Sequence, residues 1–279
     1  METIPCPLCN ARPYRSLWSR AGALYVRCTE CTLVYENPRL TESELRDFYS
    51  EESYFVNRDR GKDAPGYQDY FQQCSPALLR EYFSILHSHA ARKPSVRFLD
   101  IGCGPGGLLA EARRHRWNAS GLEISRWAVE KGRAEGLDII EGSLQNARFG
   151  EAEFDVVSMF DVLEHLPHPR DIILETARVL KPGGVLVIET PNIEGFFVRN
   201  LYGAASDMVK PRAHICLYSP KTARRLLEEA DLSTVSITLF PWCRRITPGY
   251  IKGVVVSRLP GKDPVQFTWN ESMRIVATR

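Results

Sequence analysis

No apolar run in this sequence approaches the roughly 20 residues that a helix needs to cross a membrane. The opening segment, METIPCPLC, lacks the basic stretch and apolar core of a secretory leader. These two absences lead us to expect a cytoplasmic protein with no membrane partner. An excess of one charge is missing as well: 36 basic residues face 34 acidic ones, for a formal net charge of +2. Such a balance lays down no broad footprint for a polyanion and disfavours nucleic acid as a partner. No internal repeat or low-complexity segment is found, which removes solenoids and fibrous classes. What remains, with 44% hydrophobic and 25% charged residues in 279, is the composition of an ordinary globular chain. It is long enough for one domain of usual size and a small accessory one.

Cysteine, by contrast, is present in a pattern. Cys6, Cys9, Cys28 and Cys31 form two C-x-x-C pairs, whereas Cys74, Cys103, Cys216 and Cys243 are scattered singly. Each pair can make a tight knuckle with both sulfurs aimed at one ion, and residues 10–27 suffice for a hairpin that brings the knuckles together. A redox role would want its C-x-x-C at a helix start in a thioredoxin-like pattern, which is absent. The spacing therefore predicts a structural Zn2+ held by Cys6, Cys9, Cys28 and Cys31, closed to water and substrate. We expect residues 1–38 to be a zinc-ribbon-like module with metal supplying much of its folding energy. Residues 39–93 read as a helical connector: an acidic stretch (TESELRDFYSEESYF), a polar segment with Gly61, Pro65 and Gly66, and a helix from Pro76 with Leu78, Leu79, Tyr82, Phe83 and Leu86 at helical spacing. Its aromatics (Tyr49, Tyr54, Phe55, Tyr67, Tyr70, Phe71) are candidates for a lid or for packing.

Over residues 94–279 short apolar runs alternate with amphipathic stretches. Candidate strands are VRFLDI (96–101), ASGLE (119–123), DII (138–140), FDVVSMF (154–160), GVLVIE (184–189), STVSITLF (233–240) and MRIVATR (273–279). Helical patterns fall around 107–115, 126–135, 169–180 and 221–232. Alternation of this kind predicts an α/β fold: a Rossmann-like, doubly wound, seven-stranded and mostly parallel sheet. Its first strand runs into Asp100-Ile101-Gly102-Cys103-Gly104-Pro105-Gly106-Gly107, where glycines let the backbone turn sharply and approach a ligand. Gly102, Gly104 and Gly107 also satisfy the G-x-G-x-x-G dinucleotide pattern, so the loop alone leaves two ligand classes open.

Context separates them. LDIGCGPG, GLE ending at Glu123, GSL (142–144), FDVVSMFDVLEHLPHP and VLKPGGVLVIETPN stand in the order and spacing of class I S-adenosylmethionine-dependent methyltransferases, which this chain resembles over residues 96–279. The resemblance implies S-adenosylmethionine as cofactor, held by Asp100, Gly102, Gly104, Gly106, Glu123, Ser143, Leu144 and Asp161. Glu123 would bridge the ribose hydroxyls, and Ser143 and Leu144 would flank the adenine. Cys103 reads as a small filler, and Pro182-Gly183-Gly184 as the turn into the fifth strand. With its N-terminal cysteines the chain is similar to small-molecule and sugar methyltransferases of bacterial natural-product pathways. AHICLYSP (213–220) resembles the second half of their His-Glu-His-x-x-x-Phe-Ser-like run; Arg212 and Ala213 replace the first His-Glu pair. The implied activity is methylation of oxygen, nitrogen or carbon on a small-molecule acceptor, with His214 or His165 as general base. The competing expectations are an RNA methyltransferase and a catalytically silent S-adenosylmethionine-binding adaptor.

Overall fold

The computed structural model describes residues 1–50, 76–90, 95–196, 198–206, 208–240 and 271–279. The candidate lid aromatics Tyr54, Phe55, Tyr67, Tyr70 and Phe71, together with Cys74 and Cys243, lie outside these residues. Near the N-terminus, β1 (Tyr14–Arg20) and β2 (Ala23–Cys28) pair as an antiparallel hairpin. Ala21 and Gly22 between them both take left-handed φ values, 46° and 77°, as a two-residue hairpin turn requires. Strand β3 (Val34–Glu36) adds to β2, and the acidic stretch begins with α1 (Glu42–Ser50). The helix expected from Pro76 is α2 (Pro76–His89), with Tyr82, Phe83 and Leu86 buried.

The alternating region follows as β4 (Arg97–Ile101), α3 (Gly107–Arg114), β5 (Asn118–Glu123), α4 (Arg126–Ala134) and β6 (Ile139–Glu141). Then come α5 (Leu144–Ala147), β7 (Phe154–Phe160), α6 (Pro169–Val179) and β8 (Leu180–Pro191). The chain continues through β9 (Cys216–Leu217), α7 (Pro220–Glu228), β10 (Ser233–Phe240) and β11 (Ser272–Thr278). The large sheet has the order β10-β11-β8-β7-β4-β5-β6. Strands β4 to β8 run parallel, and β11 runs antiparallel between β8 and the edge strand β10, which points the same way as the rest. Seven strands, mostly parallel, are what the alternation predicts.

Two details differ from the sequence expectation. Strand β8 starts at Leu180 rather than 184 because Pro182-Gly183-Gly184 bulges within it: β7 advances from Phe154 to Val156 while β8 advances from Leu180 to Val185. The small sheet gains a fourth strand from far along the chain, with Val34 opposite Leu217 and Tyr35 opposite Cys216. One cluster of buried side chains accordingly runs from Cys6, Leu8, Val26 and Leu33 through Ile215 and Tyr218 to Leu99, Met159 and Ile188 of the large sheet.

Candidate active site

In open α/β sheets a ligand crevice forms beyond the carboxyl ends of the strands, where successive connections leave to opposite sides. Here β4 lies between β5 and β7, and the glycine loop leaves its end. Gly102, Gly104 and Gly106 all have left-handed φ (72°, 53° and 84°), which accounts for glycine at each. A Cβ on Gly102 would also strike Val162, and one on Gly106 would strike Leu137. Cys103 fills the space over Gly121, in keeping with a packing role.

Asp100 and Glu123 end neighbouring strands and are both buried. Glu123 accepts the N–H of Gly104 (2.9 Å) and of Ser125 (2.8 Å), tying the loop to β5. Asp100 accepts the Ser158 hydroxyl at 2.6 Å. Burial, and then the neighbouring Glu123 charge, push the Asp100 carboxyl up to about 7, against the pull of Ser158. Burial raises Glu123 as well. Among the described residues neither carboxylate has a Lys or Arg partner in an ion pair. Two buried acids without a cation suit a ligand that brings hydroxyls and positive charge, which is the chemistry of a ribose diol and a sulfonium. The residues therefore fit S-adenosylmethionine. Ser143 heads α5, whereas the Leu144 side chain is packed into the core. What this segment offers a purine is thus the serine and its backbone. Asp161 follows β7 with φ 54°, and its N–H donates to Glu189 O at 2.9 Å.

Beyond Asp161 a single 3-10 turn, Leu163–His165, brings Glu164 and His165 against the segment carrying His214. The two imidazole centroids are 4.9 Å apart, edge to face. Each ring donates from Nδ1 to a backbone carbonyl: His165 to Ala213 O and His214 to Met208 O, both at 2.8 Å. Because a carbonyl only accepts, both rings carry their proton on Nδ1, and Nε2 is the basic nitrogen. Burial lowers His165 to about 4, helped by Lys210, and lowers His214 well below the ordinary imidazole value, helped by His165 and Lys210. Both are neutral at physiological pH. Glu164 accepts Thr190 Oγ1 at 2.8 Å, and its carboxyl is pushed up to about 8 by burial and by Asp161. The donor atoms of Glu164, His165 and His214 all lie within 4.8 Å of one another, a cluster with the donor types of a metal site as well as of a proton relay. The sequence placed His165 and His214 in one site without assigning a role to Glu164. Tyr218 and Ser219, on the same motif, serve the fold instead: Tyr218 is fully buried and Ser219 caps α7.

Apart from this crevice, the four N-terminal sulfurs converge to within 4.8 Å of one another. Cys6 and Cys31 are 3.4 Å apart, Cys9 and Cys28 3.5 Å. The two knuckles repeat one geometry. Asn10 N–H donates to Cys6 O and Thr32 N–H to Cys28 O, with both Asn10 and Thr32 left-handed. A tetrahedral ion with bonds of ~2.3 Å sets sulfurs about 3.8 Å apart, close to the spacing found.

Comparison with known proteins bears on the fold and the crevice. A family model described as a methyltransferase domain matches residues 69–237. A ubiquinone biosynthesis O-methyltransferase of Hahella chejuensis is 36% identical over 110 residues, covering 37% of this chain and 46% of the relative. A 24-methylenesterol C-methyltransferase 2 of Oryza sativa is 36% identical over 104 residues, covering 34% of this chain and 29% of the relative. The chain thus spans less than half the length of these two relatives. The crystal structure of an S-adenosylmethionine-dependent methyltransferase from Archaeoglobus fulgidus superposes with a TM-score of 0.55 at 18% identity, over 77% of this chain and 95% of that one. It shows the same fold.

Proposed function

The chain belongs to the methyltransferase-domain family, and from that premise we propose that it transfers the methyl group of S-adenosylmethionine to oxygen, nitrogen or carbon of a small-molecule acceptor. S-adenosylmethionine supplies an electrophilic methyl on a positive sulfur, so the chain's own task is to hold, align and deprotonate. Asp100 and Glu123, with the glycine loop of Gly102, Gly104 and Gly106, hold the cofactor; Ser143, the backbone of Leu144 and Asp161 border it. His214 and His165 face the acceptor, and Nε2 of either takes the proton of a hydroxyl or acidic carbon. The observation that carries the reading is the pair of neutral imidazoles with Nδ1 anchored, His165 partly buried one turn beyond the strand that flanks the glycine loop and His214 buried against that ring. The balanced charge and the relatives named for ubiquinone and sterol chemistry support a small molecule over a polyanion.

We propose further that Cys6, Cys9, Cys28 and Cys31 hold one structural zinc ion. The repeated knuckle geometry and the sulfur spacing support it.

The test is calorimetry with S-adenosylmethionine and S-adenosylhomocysteine, then release of S-adenosylhomocysteine across a panel of phenols, amines and sugars. Binding of both nucleosides and turnover of at least one acceptor are expected. His214→Ala should then lower the single-turnover rate by on the order of a hundredfold with cofactor affinity unchanged. No nucleoside binding would overturn the reading, and wild-type rates in both His214→Ala and His165→Ala would remove the histidines from it.

A further inference from the structure

We infer that the four-cysteine ribbon is the positioning scaffold of the acceptor site, with Glu36 and Tyr25 holding the Arg212–His214 turn and, through it, the rings of both histidines. The inference rests on the reading that His165 and His214 face the acceptor.

The turn is a place where backbone needs holding. Arg212 is a non-glycine residue at φ 66°, a left-handed conformation that side chains disfavour and that persists only where neighbours enforce it. Its N–H donates to Glu36 Oε2 at 2.7 Å. Glu36 is the last residue of β3, 1% exposed, and its other carboxylate oxygen has no hydrogen-bond partner. A buried carboxylate satisfied on one oxygen alone is costly to the fold, and the contact it does make is to this strained turn. The Glu36 N–H donates to Ile215 O at 2.9 Å, so the same residue grips the turn on both sides of His214. Tyr25, buried in β2, donates its hydroxyl to His214 O at 3.2 Å. From β1, Arg20 Nη1 donates to the carbonyls of Ala204, Ser206 and Val209 at 2.9, 2.7 and 2.6 Å.

Those contacts reach the imidazoles by one further bond each. Ala213 O, between Arg212 and His214, is the acceptor that orients His165. Met208 O, next to the carbonyls under Arg20, is the acceptor that orients His214. Each ring is therefore fixed by a main-chain carbonyl whose position the ribbon determines, while the cofactor-holding loop is tied to β5 and has no bond to the ribbon among those found for Asp100, Gly104 and Glu123. The ribbon should govern the acceptor half of the crevice and leave the cofactor half alone. Glu36 and Tyr25 act through other groups and are positioning residues.

The experiment reads ring tautomers directly, with no acceptor required. Full-length protein with 15N-labelled histidine is saturated with S-adenosylhomocysteine, and two-bond proton–nitrogen spectra are recorded for wild type, Tyr25→Phe, Glu36→Ala and Glu36→Gln. Wild type should show His165 and His214 as single Nδ1–H tautomers. In Glu36→Ala and Tyr25→Phe these signals should move toward the averaged tautomers of mobile rings. Glu36→Gln should keep the wild-type pattern, because the amide oxygen still accepts the Arg212 N–H. Affinity for S-adenosylhomocysteine should stay within about twofold throughout. Should Glu36→Ala fail to fold, Tyr25→Phe, which removes one hydroxyl and keeps the ring packing, decides alone. Unchanged tautomers in the folded variants would overturn the inference, as would a Glu36→Gln spectrum as disturbed as that of Glu36→Ala. Failure to methylate any acceptor would strike the proposed function and leave these spectra standing. With turnover in hand, Tyr25→Phe should lower kcat by about five- to tenfold with KM for S-adenosylmethionine unchanged.

Discussion

Asp100 holds its carboxyl at about 7 because burial and the Glu123 charge both oppose ionisation. A cationic ligand favours the ionised form, so binding and deprotonation are linked. As pH rises through 7 the carboxyl loses its proton and the sulfonium gains its partner. Affinity for S-adenosylmethionine should therefore increase by up to about tenfold between pH 6 and pH 8. Calorimetry at both values should show that slope in wild type and a flatter, weaker profile in Asp100→Asn; a slope surviving in the variant would assign it to the ligand's own titration. Glu123→Ala should cost about 1.5–3 kcal/mol in cofactor binding, since it removes the diol's acceptor together with the bond that ties Gly104 to β5. Glu123→Gln, which keeps an acceptor, should cost less, and equal losses in the two variants would point to charge alone. Glu123 ends the weakly apolar NASGLE and came from the family resemblance, whereas Asp100 and the glycines were legible in the sequence at the end of the apolar run of β4. The burial of the Leu144 side chain was not, since a motif names a segment and not the direction in which each side chain points.

Elements were legible where periodicity and punctuation agree. Strand β7 coincides with FDVVSMF and β10 with STVSITLF, and Pro169 and Pro220 open α6 and α7 at positions that tolerate proline. Strand β9 was hidden because two residues, Cys216 and Leu217, carry no period. Its pairing with β3 depends on distant chain segments meeting, which local pattern does not encode. The bulge in β8 was misread as a turn because Pro-Gly-Gly serves both. At this scale the cysteine knuckles yield a metal prediction. Each is a turn held by two backbone hydrogen bonds, Asn10 N–H to Cys6 O with Cys6 N–H to Ala11 O, or Thr32 N–H to Cys28 O with Cys28 N–H to Leu33 O, too little to keep four thiols together unaided. Elemental analysis of protein purified without chelator should find about one zinc per chain. Replacing Cys9 or Cys28 with serine should lower both zinc content and soluble yield, with cofactor affinity of the folded fraction retained within about twofold. Protein free of zinc with the full wild-type yield would end the assignment.

At the scale of the whole molecule the question is whether the ribbon is a separate unit or part of one core. Sequence spacing suggests separation, because the paired cysteines end at residue 31 and the first strand of the large sheet begins at residue 97. The folded chain joins them three ways. Strand β9 pairs with β3, Arg39 Nη1 donates to Pro167 O at 2.7 Å, and Cys6, Cys28 and Cys31 share a hydrophobic cluster with Ile188 and Met159. Surfaces that share a core lose their contacts together, so a ribbon deprived of metal should destabilise the large sheet as well. Chelator treatment should then shift a single unfolding transition downward by about 10 °C, if ~3 kcal/mol is lost and a chain of this size responds by ~3 °C per kcal/mol. Two probes report from the two ends: fluorescence of Trp18, in β1, and of Trp117, buried beside Phe83 and Phe98, each measured in a variant whose other tryptophans are replaced by phenylalanine. Their melting curves should superimpose with and without chelator. If Trp18 melts first in the chelated protein while Trp117 keeps its original midpoint, the ribbon is energetically independent, and the continuity of the buried cluster does not couple the two sheets.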